Sequence, residues 1–392
     1  MNLPGLAASY LRARPLQTAL SLLLLALGAG TIITLLLVVG QLEGRMGRDA
    51  RGIDLVVGAK GSPMQLILSG IYQADAPTGN IPLSVVPFLE KNRMVRKAIP
   101  LAMGDSWKGY RIVGAGKEYV EHHGARFSAG KMYREEMEAV LGHEVAARTG
   151  AKVGDRFAGA HGLGGDGEQH AEAYTVTGVL ARNDSVLDRL VLTSIESVWE
   201  VHEHGQAAKD REREVTVVLV QYASPLAAAM LPRQINAKSE LQAASPAYET
   251  ARLFRIVGTG VEALRAFAMV LMLAAGLSVF IALYTALEER RYDLAVMRTL
   301  GASPARLFGL LLAEGVVLAL AGAVLGLVLG HGLAAALGTW LDAQQQYPVS
   351  GMVFYPAELW VVAAALGVGL LAALLPAWRA FRTDVAGTLS RG

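Results

Sequence analysis

One short segment of mixed charged and apolar residues lies between two long apolar runs. Residues 266–287 hold no charged side chain. The ionisable side chains that follow include Glu289, Arg290, Arg291, Asp293 and Arg298. Charged and apolar residues mixed at helical spacing favour an amphipathic helix at a water boundary. We therefore predict a helix over residues 288–303 that binds a soluble protein, with Leu294, Met297 and Leu300 supplying apolar contacts.

Histidines and carboxylates offer a second kind of chemistry, metal binding. Seven of the eight histidines fall between residues 41 and 260: His122, His123, His143, His161, His170, His202 and His204. Imidazole and carboxylate groups in His202-Glu-His204 could ligate a borderline metal. The alternative is that these are solvated surface histidines. We predict that this chain has no metal ligand, no catalytic residue and no bound cofactor.

The sequence argues against several other kinds of site. Residues 114–117 (Gly-Ala-Gly-Lys) lack the spacing of a phosphate-binding loop, so a turn at a strand end is predicted there. The chain has no cysteine, which excludes disulfides and thiolate metal ligands. Its formal net charge of +2 argues against a nucleic-acid partner.

Composition predicts a membrane protein with a soluble part. The chain has 392 residues, of which 53% are hydrophobic, and a mean hydropathy of +0.37. A bilayer core about 30 Å thick needs roughly 20 apolar residues in a helix. The predicted fold is four transmembrane helices with a large α+β extracytoplasmic domain between the first two. The predicted segments are 1–15 (cytoplasmic), 16–40 (first span), 41–260 (outer domain with stalk helices), 262–287 (second span), 288–306 (cytoplasmic coupling helix), 307–335 (third span), 336–355 (outer loop), 356–376 (fourth span) and 377–392 (cytoplasmic tail).

Positive charge in short loops predicts the orientation. The arginines that flank the spans are Arg12, Arg14, Arg290, Arg291, Arg298, Arg306, Arg379, Arg382 and Arg391. Residues 336–355 contain no Lys or Arg. Both termini and the hinge are therefore expected inside the cell, with the outer domain in the periplasm. The first span is too long for a typical cleaved signal peptide, and an uncleaved anchor is expected.

The outer domain is expected to mix strands and helices. Strand-like runs lie at 54–57, 174–180, 190–193 and 215–222. Helical runs lie at 140–149 and 225–235, and the glycine-rich residues 162–170 predict a flexible loop. Helical patterns continue from the first span to about residue 49 and from residue 248 into the second span, as stalks or simple anchors. The apolar strip at 64–72 predicts either a contact surface beside the bilayer or ordinary core.

Within the predicted spans, polar and small residues have separate roles. Glu314 is an intramembrane carboxylate, and an unpaired charge in a bilayer is costly. We expect it to face another helix or the interior of a dimer, near a donor such as an arginine at the cytoplasmic end or a backbone amide. Gly322, Gly326 and Gly330 form a repeated Gly-x-x-x-Gly face, which favours close helix packing within the chain or between two copies. A lipid-facing position is the alternative for these glycines.

The hinge sequence is similar to a motif of a known family, the MacB/FtsX-like permeases of ABC transporters (type VII architecture). It matches the family's "E-R-x-x-E-I-x-x-x-R-x-x-G-A" segment, with Asp293 in place of the second Glu, and Glu314 follows downstream. The resemblance implies that the hinge couples the chain to an ATPase. The residues involved are Glu289, Arg290, Arg291, Asp293, Leu294, Met297, Arg298, Leu300, Gly301, Ala302 and Ser303.

Two further segments extend the resemblance over nearly the whole chain. Residues 376–386 are similar to the family's "P-A-x-x-A…D-P-x-x-A-L" ending, with Val385 where Pro is common. Residues 141–155 resemble an "L-G…V-G-D" segment of the family's outer domain. The order of four spans with one large insertion after the first also matches.

The resemblance implies partners for this chain. The family's permeases act as a homodimer or a related pair bound to two cytoplasmic ATPase subunits, which hold the ATP and Mg. Only about 15 residues precede the first span, so we expect the ATPase to be a separate chain. ATPase closure is expected to reach the outer domain through the hinge helix and stalks. A periplasmic adaptor or substrate protein is a further expected partner, and the bacterial inner membrane is the expected location.

Three functions stay open at this stage. The leading hypothesis is a permease subunit that exports or extracts an extracytoplasmic substrate. The second is an ATPase-driven regulator of an external enzyme such as a cell-wall hydrolase, although an outer domain of about 200 residues resembles the transporter branch more. The third is a part in a metal-handling system, which rests only on the histidines.

Overall fold

The computed structural model describes residues 12–162, 169–202, 213–238, 240–343 and 349–382. They form two compact units. One unit is Glu43–Ile256, called here the inserted domain. The other, called here the helical unit, combines the described residues before and after it.

Helices and strands are both present in the inserted domain, whereas the helical unit is built from helices. The helices are α1 (Pro15–Asp49), α2 (Pro63–Gly70), α3 (Val85–Glu90), α4 (Lys117–His122), α5 (His143–Thr149), α6 (Ile195–His202), α7 (Pro225–Lys238), α8 (Pro246–Glu289), α9 (Arg291–Thr299), α10 (Pro304–Ala343) and α11 (Glu358–Phe381). The strands are β1 (Leu55–Ala59), β2 (Ile81–Pro82), β3 (Val95–Trp107), β4 (Tyr110–Ala115), β5 (Phe127–Gly130), β6 (Glu138–Leu141), β7 (Arg156–His161), β8 (Gln169–Leu180), β9 (Val191–Thr193), β10 (Glu214–Val215), β11 (Val217–Tyr222) and β12 (Leu241–Ala244).

One large sheet organises the inserted domain. Its described strands run in the order β12-β1-β11-β3-β4-β9-β6-β8-β5, and β7 pairs with both β3 and β8. The β4–β9 and β6–β8 pairs are parallel, while β1, β11 and β3 pair antiparallel. The valine run Val217–Val218 with Val220 is buried in β11, which suits a strand covered on both faces.

The core of the inserted domain lies in two clusters on this sheet. The first packs β1, β3 and β11 against α3, α6 and α7. The second packs β4, β6, β8 and β9 against α5. In the second cluster the Phe157 ring stacks between Trp107 and Tyr174, at centroid distances of 4.3 and 5.4 Å.

The apolar strip at 64–72 packs into the core, so of the two alternatives the structure supports core packing and not a contact surface. Ser62 caps α2 by accepting a hydrogen bond from the Gln65 amide at 3.4 Å, and Pro63 occupies the first turn. The cap sets the helix against the sheet and turns its apolar face inward. The buried side chains of the strip are Leu66, Ile67, Ile71 and Tyr72.

The predicted strands overlap β1, β8, β9 and β11, but the predicted helix at 140–149 is wrong in its first part. Val140 and Leu141 belong to β6, which pairs with β8 and β9. The helix starts only at His143 and ends at Gly150, whose φ of +72° stops it. Sheet pairing thus overrides the local helical pattern. Residues 163–168 of the predicted loop lie outside the described residues.

The helical unit is a bundle of α1, α8, α10 and α11. Among the described residues these four helices are long and apolar enough to cross a membrane. Their shared core includes Leu25 of α1, Val279 of α8, Leu318 of α10 and Ala365 of α11. The hydroxyls of Ser21 and Ser278 are 2.9 Å apart and link α1 to α8, a type of contact common between membrane helices.

The repeated glycines of α10 face α1 of the same chain. A Cβ added to Gly326 would lie 2.7 Å from the Ala29 Cβ, and one added to Gly330 would lie 2.7 Å from the Ile33 Cβ. Gly322 approaches Leu25 equally closely. The absence of side chains lets the two backbones come together, which strengthens van der Waals contact inside a bilayer.

The valine substitution Gly326→Val should therefore loosen the bundle. Overpacking of this kind costs about 1–3 kcal/mol. The matched control is Gly332→Val, because nothing lies within 4 Å of a Cβ at that position. Thermal unfolding of the purified chain in detergent should show a lower melting temperature for Gly326→Val than for Gly332→Val. Equal melting temperatures would contradict the packing account.

Candidate functional site

The predicted coupling residues form one helix–turn segment between two membrane helices. The helix α8 ends at Glu289, and Arg290 leaves helical geometry with φ −102° and ψ 10°. The chain re-enters a helix in α9 and begins α10 at Pro304, a residue favoured in a first helical turn. The side chains of Arg291, Asp293 and Leu294 lie outside the described residues, although their backbone is helical.

The turn after α9 explains the glycine of the motif. Gly301 has φ +96°, a conformation that strains residues with a Cβ. The Ala302 amide donates to the Met297 carbonyl at 2.9 Å, and the Gly301 amide donates to the Arg298 carbonyl at 3.1 Å. These two hydrogen bonds are those of a Schellman motif. They end α9 and direct the chain through Ser303 into α10.

One face of α9 is anchored to the helical unit. Ala295 is fully buried, and Met297 packs against a cluster of apolar side chains. The cluster consists of Leu287, Leu307, Leu311, Ala377 and Ala380. Met297 therefore has a packing role that the sequence did not indicate, and its truncation would loosen the end of the bundle.

Another face of α9 is open to solvent. Leu300 is 82% exposed, and Tyr292 is also exposed. Together with the half-buried Val296 they are spaced four residues apart, which places them along one side of a helix. The stripe offers apolar area that a docking protein can cover.

Ion pairs join the helix ends beside α9. The Arg290 Nη1 atom lies 3.4 Å from the buried Glu314 Oε1 atom, and Arg14 pairs with Glu289. A carboxylate buried in a membrane helix requires such a positive partner. The structure thus gives Glu314 a partner from the α8–α9 junction, while its coupling role stays a prediction.

A second polar cluster lies in the C-terminal half of α10, around His331, and sequence reasoning missed it. His331 places Nδ1 2.7 Å from the Gly351 carbonyl and Nε2 2.8 Å from the buried Glu358 carboxylate. Both partners are acceptors, so this geometry fits a doubly protonated imidazole. Gln41 exchanges two 2.8 Å hydrogen bonds with the Ser350 backbone nearby. The position of Glu358 just before an apolar run was the available signal.

The histidines of the inserted domain fall into separate environments. His122 and His123 border a cavity of about 330 Å³. Burial lowers the pKa of His123 to about 4, so this side chain is neutral near pH 7. The side chain of His202 and all of His204 lie outside the described residues. His161 and His170 both lie close to the buried carboxylate of Asp105, at 3.4 and 3.2 Å.

Family models identify the chain. The model described as the MacB-like periplasmic core domain matches residues 18–238, more than half of the 392 residues. The model described as the FtsX-like permease C-terminal domain matches residues 265–385. The chain belongs to the MacB/FtsX-like ABC transporter permeases. MacB/FtsX-like permeases are multi-pass membrane proteins, and the four apolar helices of the described residues agree with that class.

A curated relative of this MacB/FtsX-like permease matches only part of the chain. The lipoprotein-releasing system transmembrane protein LolE of Haemophilus influenzae is 34% identical over 138 residues, which cover 31% of this chain and 33% of LolE. The chain thus matches about a third of that relative's length.

Two solved structures of transporter domains show a weak overall likeness. The extracellular domain of the noncanonic ABC-type transporter YknZ from Gram-positive bacteria has 14% identity and a TM-score of 0.31, covering 49% of this chain and 98% of that chain. A permease domain from Porphyromonas gingivalis has 16% identity and a TM-score of 0.30, covering 49% and 88%.

The Arg290–Glu314 pair makes a testable contribution to stability. Arg290→Met should destabilise the purified chain by roughly 3 kcal/mol, because it leaves a buried carboxylate without this partner. Adding Glu314→Gln to that variant should restore much of the loss. Thermal unfolding in detergent measures both, with Arg306→Met as the control, since Arg306 is exposed at the start of α10. A double variant no more stable than Arg290→Met would contradict the pairing.

Proposed function

We propose that this chain is the permease subunit of an ABC transporter and couples ATP hydrolysis by a separate ATPase to movement of its inserted domain. The observation that carries the proposal is α9, which is anchored through Ala295 and Met297 and exposes Tyr292 and Leu300. Short connections join α9 to α8 and α10. A soluble subunit docked on the exposed face therefore acts directly on both membrane helices.

The long helices provide the route for this movement. The helix α8 extends from Pro246 to Glu289, and α1 extends from Pro15 to Asp49. Each helix contributes residues to both the helical unit and the inserted domain. A displacement of α8 where it meets α9 therefore acts on a helix whose first residues belong to the inserted domain.

The polar residues of the bundle support a mechanical role for the spans. Glu314 and His331, the ionisable residues of the predicted third span, are engaged with Arg290 and Glu358. Paired groups of this kind compensate buried charge and hold neighbouring helices together. We therefore assign substrate handling to the inserted domain or its junction with the membrane.

The remaining assignments belong to the same proposal. The arginines at the α9 end of the bundle place this end in the cytoplasm by the positive-inside rule, with the inserted domain in the periplasm of a bacterial inner membrane. A second copy of the chain completes the permease pair, and ATP and Mg are held by the ATPase. LolE is named for a lipoprotein-releasing system, and export or extraction of an extracytoplasmic substrate is the activity that we propose here.

Replacing Leu300 with Asp tests the docking face without disturbing the anchored face. Apolar side chains at the centre of an interface contribute about 2 kcal/mol or more, which is roughly a 30-fold loss of affinity when they are removed. The tagged chain should therefore copurify with far less ABC-type ATPase from its own membranes, measured by mass spectrometry and by ATP hydrolysis.

The matched control is Met352→Asp, because Met352 is 94% exposed and lies between α10 and α11. This variant should retain its ATPase. Copurification and hydrolysis at unchanged levels in Leu300→Asp would show that α9 is not the docking element.

A further inference from the structure

A buried carboxylate meets two imidazoles on the sheet of the inserted domain. The residues are Asp105 of β3, His161 of β7 and His170 of β8. Their ligand atoms all lie within 4.8 Å of one another. We propose that these three side chains form an exchangeable binding site for a borderline divalent metal ion, best fitted by Zn²⁺. The proposal concerns the inserted domain alone and does not depend on the coupling role of α9.

The sheet register brings these residues together. Asp105 of β3 lies directly opposite His161 of β7, and the next pair is Ser106 with Ala160. Ala160 also pairs with Gln169 of β8, the neighbour of His170. The strand β7 therefore links β3 to β8 at the point where the three side chains meet. Residues distant in the sequence become one cluster on three adjacent strands.

The distances within the cluster suit tetrahedral coordination. Bonds of about 2.0–2.2 Å to zinc place neighbouring ligand atoms roughly 3.3–3.6 Å apart. The Asp105 Oδ1 atom is 3.4 Å from His161 Nδ1 and 3.2 Å from His170 Nε2. These separations are close to two edges of such a tetrahedron. One ion can therefore contact the three side chains after only small shifts.

Two of the three proposed ligands are buried, and the third is exposed to solvent. The side chains of Asp105 and His170 are 2% and 8% exposed, whereas that of His161 is 54% exposed. Packing holds the first two in place, and solvent reaches the third. Three protein ligands leave a fourth position for water or for a donor molecule, as in zinc sites that exchange a ligand. A metal carrier can thus load or unload the ion from the His161 side.

The donor atoms, two imidazole nitrogens and one carboxylate oxygen, determine which metal ions fit the site. Imidazole nitrogen with one carboxylate oxygen suits Zn²⁺, Co²⁺, Ni²⁺ and Cu²⁺, while Mg²⁺ and Ca²⁺ prefer oxygen ligands throughout. A cation also compensates the charge of the buried Asp105, which is costly to bury alone. Protonated histidines paired with Asp105 give the same compensation without a metal. A metal-binding experiment distinguishes the metal-bound cluster from this ion pair.

Titration of the metal-depleted, full-length protein in detergent, purified on a tag without histidines, tests the site. The wild-type chain should bind Zn²⁺ in competition with a chromophoric chelator, and Co²⁺ should give the strong visible absorption of a four-coordinate site. His170→Gln should weaken binding by about 100-fold or more, since loss of even an outer-shell partner costs about 10–100-fold. The His170→Gln variant should also lose the visible Co²⁺ absorption.

Two controls make the result decisive. His143→Gln removes a histidine of α5 outside the cluster and should leave Zn²⁺ affinity unchanged. His161→Gln alters the exposed ligand and carries the test if His170→Gln fails to fold, as judged by thermal unfolding of the metal-free chain. Zn²⁺ affinity and stoichiometry equal to wild type in His161→Gln and His170→Gln would overturn the proposal and leave the cluster as an ion pair.

Discussion

Close contact between apolar helices holds the helical unit together and positions the segments that join its helices. Lipid tails are as apolar as leucine, so membrane helices associate through van der Waals contact and polar pairs between helices. Here Gly326 and Gly330 bring the α10 backbone against α1, and Gly315 and Gly369 do the same between α10 and α11. These contacts leave no room for a larger side chain, and together they hold these helices close to one another.

Two ion pairs lie toward opposite ends of the bundle, where charge is less costly than at the centre of a bilayer. At one end, Arg290 meets Glu314 beside α9; at the other, His331 meets Glu358. Each pair compensates a buried carboxylate, and each joins two segments of the chain. The end that carries α9 also exposes an apolar stripe that ends at Leu300. The arginines beside this stripe support our proposal that a soluble partner acts at α9.

Local patterns in the sequence predicted four apolar spans and several strands, because each is determined by its own periodicity and composition. The helix predicted over 288–303 covers only Arg291–Thr299, because Arg290 leaves helical geometry and a turn at Gly301 follows. Tertiary contacts decided the rest. The strip around Leu66 is packed against the sheet, and Val140 pairs as a strand within a helical pattern. The cluster of Asp105 with His161 could not be predicted, since it depends on the register between β3 and β7. The sequence indicated which segment holds the proposed coupling residues. It did not show that Met297 is packed inside the bundle whereas Leu300 is exposed.

Site-specific crosslinking measures the proposed contact between α9 and the ATPase. The chain contains no cysteine, so Leu300→Cys introduces a single reactive thiol. A thiol-anchored photocrosslinker at this position, activated in native membranes, should join the chain to an ABC-type ATPase identified by mass spectrometry. The same reagent on Met352→Cys should not. Crosslinks from position 300 that reach only lipid or other parts of the same chain, with the ATPase present in the membranes, would contradict the account.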